Sequence, residues 1–240
     1  MRVVSLIIGR GGSSLKDKNI LPVLGIPLLL WSAAAAVRSR YVTDYYVSSD
    51  DAKILETAAR AGYKPIVRPD MLSSATAQSC DAVRHALPLI EAEGGPADIV
   101  VVQHANVGTI TEQMIDDCID ILLVNPLASS VVPAHDKAEY HPMRAKRPTA
   151  DGRLVPFVES VGPVSANRQE LPKALFFDHS FWVLRGRSAI FAADGQPPWS
   201  CMGPVILPYE TNGCLDIHSL VDIKLTEDWI TEHKVPAPAF

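Results

Sequence analysis

The chain has 240 residues, is 48% hydrophobic and 20% charged, and carries a formal net charge of -5. This is the composition of a globular protein with a sizeable core in one large α/β domain, and it lacks the basic excess of a nucleic-acid or membrane-surface binder. No signal-peptide layout and no apolar run of membrane-spanning length occurs, so the expectation is a cytoplasmic protein with neither nucleic-acid nor membrane partners.

The chain opens with an apolar, β-branched run, Arg2 to Ile8, that reads as a strand buried on both faces. The loop Gly9-Arg10-Gly11-Gly12-Ser13-Ser14-Leu15-Lys16-Asp17-Lys18-Asn19 follows at once. Glycines let the backbone approach a ligand, and free amides with Arg10, Lys16 and Lys18 suit phosphate oxygens. The loop matches neither G-x-x-x-x-G-K-S/T nor G-x-G-x-x-G, so a plain strand-to-helix loop with solvated lysines stays open. Leu28–Val37 reads as a buried helix behind Pro27. Tyr45–Ser49 is a second strand, and Asp50 with Asp51 opens a helix that Gly62 ends. Pro65–Val67 is a short strand, followed by Arg68 and by a helix over Ala77–Ala92 that contains Pro88. Asp98–Gln103, a helix over Glu112–Val124, and Ser129–Pro133 continue the alternation. That alternation specifies an open, mostly parallel sheet with helices on both faces, and it puts ligand sites at the carboxyl ends of the strands.

The alternation breaks near residue 134. Residues 134–180 carry prolines at 142, 148, 156, 163 and 172, with Leu154–Val158 as an edge or hairpin strand. This segment reads as an inserted β-lobe packed on a second subunit, or as a surface excursion. Ser180–Leu184 and Pro204–Leu207 return to the sheet, Leu215–His218 follows as a further extended segment, and Ser219 with Asp222 caps a closing helix through Glu232. The domain assignment is one domain over 1–240 with the lobe at about 134–180. Cys80, Cys118, Cys201 and Cys214 lie far apart with no C-x-x-C, so neither zinc nor disulfides are implied.

Polar groups follow four strands: the Gly9–Asn19 loop, Ser48-Ser49-Asp50-Asp51, Arg68, and Gln103 with His104. One edge of a parallel sheet would gather them around one crevice. A triphosphate needs cations and backbone donors, and its transfer needs a divalent ion held by few carboxylates. Asp216 is the candidate metal ligand, with a capping or surface role as the alternative.

Arg10-Gly11-Gly12-Ser13 and then Lys18-Asn19-Ile20-Leu21-Pro22-Val23-x-Gly25-Ile26-Pro27-Leu28 resemble the start of the acylneuraminate (CMP-sialic acid synthetase-like) cytidylyltransferases. The resemblance continues in order through Val47-Ser48-Ser49-Asp50-Asp51, Arg68-Pro69-x-x-Leu72-x-x-x-Thr76-Ala77-x-Ser79 and His141-Pro142-Met143-Arg144. It closes with Arg168-Gln169-x-Leu171-Pro172-x-Ala174 and Asp216-Ile217 with Asp222. It implies a Rossmann-like, GT-A-like nucleotidyltransferase fold and a homodimer that uses CTP and Mg2+. The acceptor hydroxyl, on a 2-keto sugar acid, would attack the α-phosphorus and release pyrophosphate. The resemblance implies that Arg10 and Lys18 bind phosphates in the loop of Gly9, Gly11, Gly12 and Ser13. It implies that Asn19, Arg68 and Ser79 line the cytosine and ribose side, that Gln103 contacts the acceptor, and that Arg144 and Arg168 clamp its carboxylate, with solvated surface charge on the lobe as the alternative for that pair.

Three departures stand out. The loop is one residue shorter than the family's form. Gln103-His104-Ala105-Asn106-Val107-Gly108-Thr109 replaces Q-P-T-S-P-x-R, and His218 stands where D-I-D has its second carboxylate. The metal then rests on Asp216 with phosphates, or the acceptor is unusual, a phosphonate for example, or activity is reduced to nucleotide binding; the better match of the phosphate side favours an unusual acceptor. A glycosyltransferase of related fold is the weaker alternative, because Ser49-Asp50-Asp51 lacks a D-x-D spacing.

Overall fold

The computed structural model describes residues 1–240 except Ser13, Ser14, Ala138, Tyr140 and Val161. Its strands are β1 (Val3–Ile8), β2 (Pro22–Val23), β3 (Ile26–Pro27), β4 (Asp44–Ser49), β5 (Lys64–Val67), β6 (Ile99–His104), β7 (Ser130–His135), β8 (Lys146–Pro148), β9 (Leu154–Pro156), β10 (Phe176–Phe177), β11 (Phe181–Leu184) and β12 (Ile206–Glu210). Its helices are α1 (Leu28–Arg38), α2 (Ala52–Ala59), α3 (Ser79–Gly94), α4 (Glu112–Val124), α5 (Gly186–Ile190) and α6 (Leu220–Glu232).

The main sheet runs β10-β7-β11-β6-β1-β4-β5, with β12 beside β7. β1 pairs parallel with β4 and β6, and β4 pairs parallel with β5. β11 is antiparallel to β6 and β7, so the sheet is mixed at one half and parallel at the other. The carboxyl ends of β5, β4, β1 and β6 therefore lie along one edge, as the alternation required.

Period-two side chains split the core. Val4, Leu6 and Ile8 face α3 and pack with Val83, Leu87 and Ile90. Ile7 faces the other way, among Leu29, Leu30 and Ala33 of α1 and Ile54 of α2. Each fully buried aliphatic side chain contributes roughly 1.5–3 kcal/mol relative to exposure. The apolar sequence of β1 is thus explained by helices on both of its faces.

The lobe holds a two-stranded antiparallel ribbon of β8 and β9. Leu154 (69% exposed) and Phe157 (64% exposed) have little of their surface covered. Asp222 forms the expected capping box with Ser219, accepting from the Ser219 amide at 2.7 Å. Two expectations are corrected. Leu215–His218 joins no named strand and pairs instead with the irregular segment after β6, through an isolated bridge, Val107 to Asp216, and the Ile217 amide on the Asn106 carbonyl at 3.1 Å. Cys80 and Cys201 form a disulfide across 121 residues, with Cα atoms 5.3 Å apart, whereas the spacing of the cysteines implied none. No helix among the described residues is long and apolar enough to cross a membrane.

Candidate functional site

The site begins where β1 ends. The Gly9 amide donates to the Ser48 carbonyl at 3.2 Å. A Cβ on Gly9 would lie 2.8 Å from the Ala105 Cβ and 3.3 Å from Asn19 Nδ2, so a side chain there collides with the opposite wall. Asp17 takes a left-handed conformation (φ 55°) and pairs with Lys53 at 3.1 Å. That turn presents Lys18 and Asn19 as a short 3-10 segment. Asn19 is buried and donates from Nδ2 to the Arg10 carbonyl at 3.0 Å, which closes the loop on itself. Arg10 in turn donates to the Ser74 carbonyl at 2.5 Å.

These residues face a cleft of about 170 Å³. Gly9, Arg10, Lys18 and Asn19 form one wall, and Arg68, Gln78 and Ser79 another. Six of the residues expected at the nucleotide thus share one cavity. Gly11 and Gly12 border a smaller hollow behind it, with Asp51. The Gly11 amide donates to Asp50 Oδ1 at 3.0 Å, so a carboxylate holds that loop donor. Ser13 lies outside the described residues. Lys16 is exposed and lines neither hollow.

Arg68 is the anchored cation. Its Nη2 donates to the Ser48 carbonyl at 2.6 Å and its Nε to Ser48 Oγ at 3.1 Å. Burial lowers its pKa to about 10, with Arg10 adding to the shift and Asp50 opposing it. The guanidinium remains charged at neutral pH and is fixed before any ligand arrives.

The strand end of β6 departs from expectation. Gln103 is fully buried, accepts from Ser5 Oγ at 2.7 Å, and donates to the Ser32 carbonyl at 2.7 Å and to Ser32 Oγ at 2.9 Å. Its polar atoms are committed to the core between β1 and α1, on the face away from the cleft. One residue on, the strand's alternation turns His104 to the cleft side. His104 and Asn106 line the cavity in its place. His104 Nδ1 bonds to the His179 carbonyl. A carbonyl only accepts, so Nδ1 carries the hydrogen and the neutral ring keeps its lone pair on Nε2. That Nε2 is buried with no partner among the described residues. Burial, the largest cause, lowers the His104 pKa. His179, which holds it, has a left-handed backbone (φ 53°) and packs its ring 4.6 Å from Trp199.

Asp216 adjoins the same cavity through Asn106, whose side-chain amide bonds to Oδ1. Its other oxygen, Oδ2, lies 3.0 Å from His218 Nε2. Among the described residues no group of three or more His, Cys, Asp or Glu could hold a metal. The donor set at Asp216 is one carboxylate and one imidazole, which matches magnesium only through the carboxylate.

Arg144 and Arg168 are not in the cleft. Arg144 lines a hollow of the lobe and donates to the Ala166 carbonyl at 2.7 Å. Arg168 lines another, with Lys137, His141 and Lys173. Within one chain they do not form a joint clamp. His104 and Asn106 carried a usable signal, because polar residues ending a buried strand stand out.

Residues 4–174 match the family model described as cytidylyltransferase. The chain is 29% identical over 176 residues to a pseudaminic acid cytidylyltransferase of Campylobacter jejuni, covering 72% of this chain and 74% of that one. It is 29% identical over 89 residues to an N-acylneuraminate cytidylyltransferase of Escherichia coli, covering 37% of this chain and 21% of that one. The fold is similar to a CMP:2-keto-3-deoxy-manno-octonic acid synthetase complexed with CTP (TM-score 0.71, 16% identity, 97% of this chain and 100% of that one). It is also similar to a 4-diphosphocytidyl-2C-methyl-D-erythritol synthase from Anaerococcus prevotii (TM-score 0.65, 11% identity, 96% of each chain).

Proposed function

The chain belongs to the cytidylyltransferase family, and we propose that it transfers a cytidylyl group from CTP to an acidic acceptor, a 2-keto sugar acid of the nonulosonate kind. The observation that carries this reading is the convergence of Arg10, Lys18 and the buried Arg68 on one cleft beside the Gly9 turn. The resemblance to the pseudaminic acid enzyme supports the acceptor class.

In this reading the acceptor hydroxyl attacks the α-phosphorus. An O–P bond forms, the bond from the α-phosphorus to the bridging oxygen breaks, pyrophosphate leaves, and the hydroxyl proton passes to solvent. The protein contributes position and charge rather than a nucleophile. Arg10 and Lys18 neutralise the triphosphate, and Arg68 supplies a cation that needs no reorganisation. Asn19 and Ser79 hold the nucleoside side. A divalent cation belongs to the reading: magnesium is the ion the resemblance implies, and Asp216 is its carboxylate ligand. When bound, such an ion neutralises phosphate charge. The exposed Leu154 and Phe157 support a second copy covering the lobe, hence a homodimer.

A second reading, a non-sugar acidic acceptor such as a phosphonate, draws on the withdrawal of Gln103 and the presence of His104 and Asn106 at the cavity. A third, a nucleotide-binding relative with reduced activity, draws on His218. Pyrophosphate release from CTP, measured against pseudaminic acid, N-acetylneuraminate, a 2-keto-3-deoxy octonate and phosphonates, separates the three. Turnover with a keto sugar acid supports the first. Silence across the panel together with no CTP binding by calorimetry overturns all of them.

A further inference from the structure

The loop after β1 already holds an anion, and that anion belongs to the chain itself. We propose that the Asp50 carboxylate is an internal competitor for this loop, occupying a backbone donor that a phosphate oxygen would take and so limiting how tightly CTP and pyrophosphate bind; this rests on the nucleotide-site reading above.

The Gly11 amide donates to Asp50 Oδ1 at 3.0 Å. A backbone amide has one hydrogen, and an ionised carboxylate is a strong acceptor for it. The loop and the end of β4 are in close approach here. A Cβ on Gly11 would lie 3.1 Å from Asp51 Oδ2 and 3.5 Å from Asp50 Oδ2. Gly11 borders the same hollow as Arg10, Lys18 and Asn19, and those three also line the cleft. The contested amide therefore adjoins the cations that would meet the triphosphate.

Three carboxylates adjoin this loop, and their duties differ. Asp17 pairs with Lys53 at 3.1 Å. Asp51 caps α2, accepting from the Lys53 amide at 2.8 Å. Asp50 takes neither job: it is exposed, and its Oδ1 goes to the loop. It also lies near enough to Arg68 to favour the charge of that guanidinium. Asp50 thus acts on both a donor and a cation of the phosphate side.

The sign of the effect follows from charge. A phosphate oxygen takes the Gly11 amide only when Asp50 gives it up. The released carboxylate stays close to the incoming anion, and like charges a few ångströms apart repel. Both effects oppose binding of CTP and of the pyrophosphate product, and removing the charge relieves both. A carboxylate that merely braced the loop would have the opposite sign, because its loss would weaken binding.

Calorimetric titration of the wild type, Asp50→Asn and Asp50→Ala with CTP and with pyrophosphate tests this. Chelator keeps any divalent ion out of the comparison. Asparagine keeps an oxygen acceptor for Gly11 without the charge, whereas alanine removes both. The position is exposed, so neither substitution disturbs the core. Both variants are expected to bind pyrophosphate and CTP about tenfold more tightly at low salt. The gain should shrink at about 1 M salt, where the screening length falls to about 3 Å. Unchanged or weaker binding in either variant, or a gain that ignores salt, overturns the proposal. So does an absence of pyrophosphate binding in all three proteins. A wild type that binds pyrophosphate but not CTP sinks the nucleotide reading, while the pyrophosphate series still decides this one.

Discussion

Gln103 donates from Nε2 to the backbone carbonyl of Ser32 at 2.7 Å, and the bond fastens the central strand β6 to α1. The side chain is fully buried and also accepts from Ser5. Replacing it with alanine would strand those partners, at roughly 1–3 kcal/mol for each unsatisfied group. We expect Gln103→Ala to lower the denaturation midpoint while the KM for acceptor stays within about twofold at a temperature where the variant is folded. A normal melting curve with a large rise in acceptor KM would show that Gln103 acts on the acceptor.

The cations of the opening loop should separate by position. Arg10 and Lys18 line the cleft, and Lys16 does not. A charge-assisted bond is worth about 1.5–3 kcal/mol, so Arg10→Ala and Lys18→Ala are each expected to weaken CTP binding by roughly ten- to a hundredfold. Lys16→Ala should change it little. Calorimetry on the three variants checks the ordering, and three equal, negligible effects would remove the phosphates from this loop.

Gly9 should be intolerant for a steric reason. The 2.8 Å approach of a new Cβ to the Ala105 Cβ forces the loop and the β6 end apart. Overpacking of this kind costs about 1–3 kcal/mol. Gly9→Ala should therefore destabilise the fold and weaken CTP binding. The double variant with Ala105→Gly should recover part of both losses, because the opposing atom is gone. Strict additivity of the two substitutions would refute the contact as the cause.

His104 gives a pH dependence with a definite sign. Burial holds its pKa below the ordinary 6.5. The unfolded chain then takes up a proton before the folded one does. The stability that depends on a neutral His104 is full above about pH 6.5 and is lost as pH falls through the folded value. Melting temperatures of the wild type and His104→Gln, compared from pH 8 downward, should draw together or cross as the wild type alone loses this contribution. Parallel curves across the range would contradict the burial of a neutral ring.

The lobe makes a claim about assembly. Leu154 and Phe157 are exposed on and just after the β8–β9 ribbon. A double substitution, Leu154→Glu with Phe157→Glu, should convert the expected dimer to monomers in sedimentation analysis. A wild type that is monomeric at micromolar concentration would remove the premise.

Much of this fold could be read from residue order. The helix over Glu112–Val124 appears with those bounds because its apolar positions repeat at helical spacing and Thr111 caps it. The capping pair Ser219 and Asp222 was equally plain. Strand direction was not: β11 is antiparallel, and an apolar run looks the same in either direction. Leu215–His218 has the residues of a strand but pairs with an irregular segment, 106–109, rather than with a strand of the sheet. At the site, the choice between Gln103 and His104 turned on a shift of one residue, which a strand converts into opposite faces. The Cys80–Cys201 pairing depends on folding alone, since 121 residues separate the partners.

The bridge between Val107 and Asp216 ties the segment behind the cleft wall to the carboxylate beyond it. The Leu215 amide also bonds to Thr109 at 3.2 Å, so the two segments meet at several points. Their lengths are consequently interdependent. An insertion between Ala105 and Thr109 would drag Asp216 away from the cleft, while a point substitution leaves the spacing intact. The distance from the cleft to Asp216 is therefore set by the length of the 105–109 segment more than by the identity of its residues.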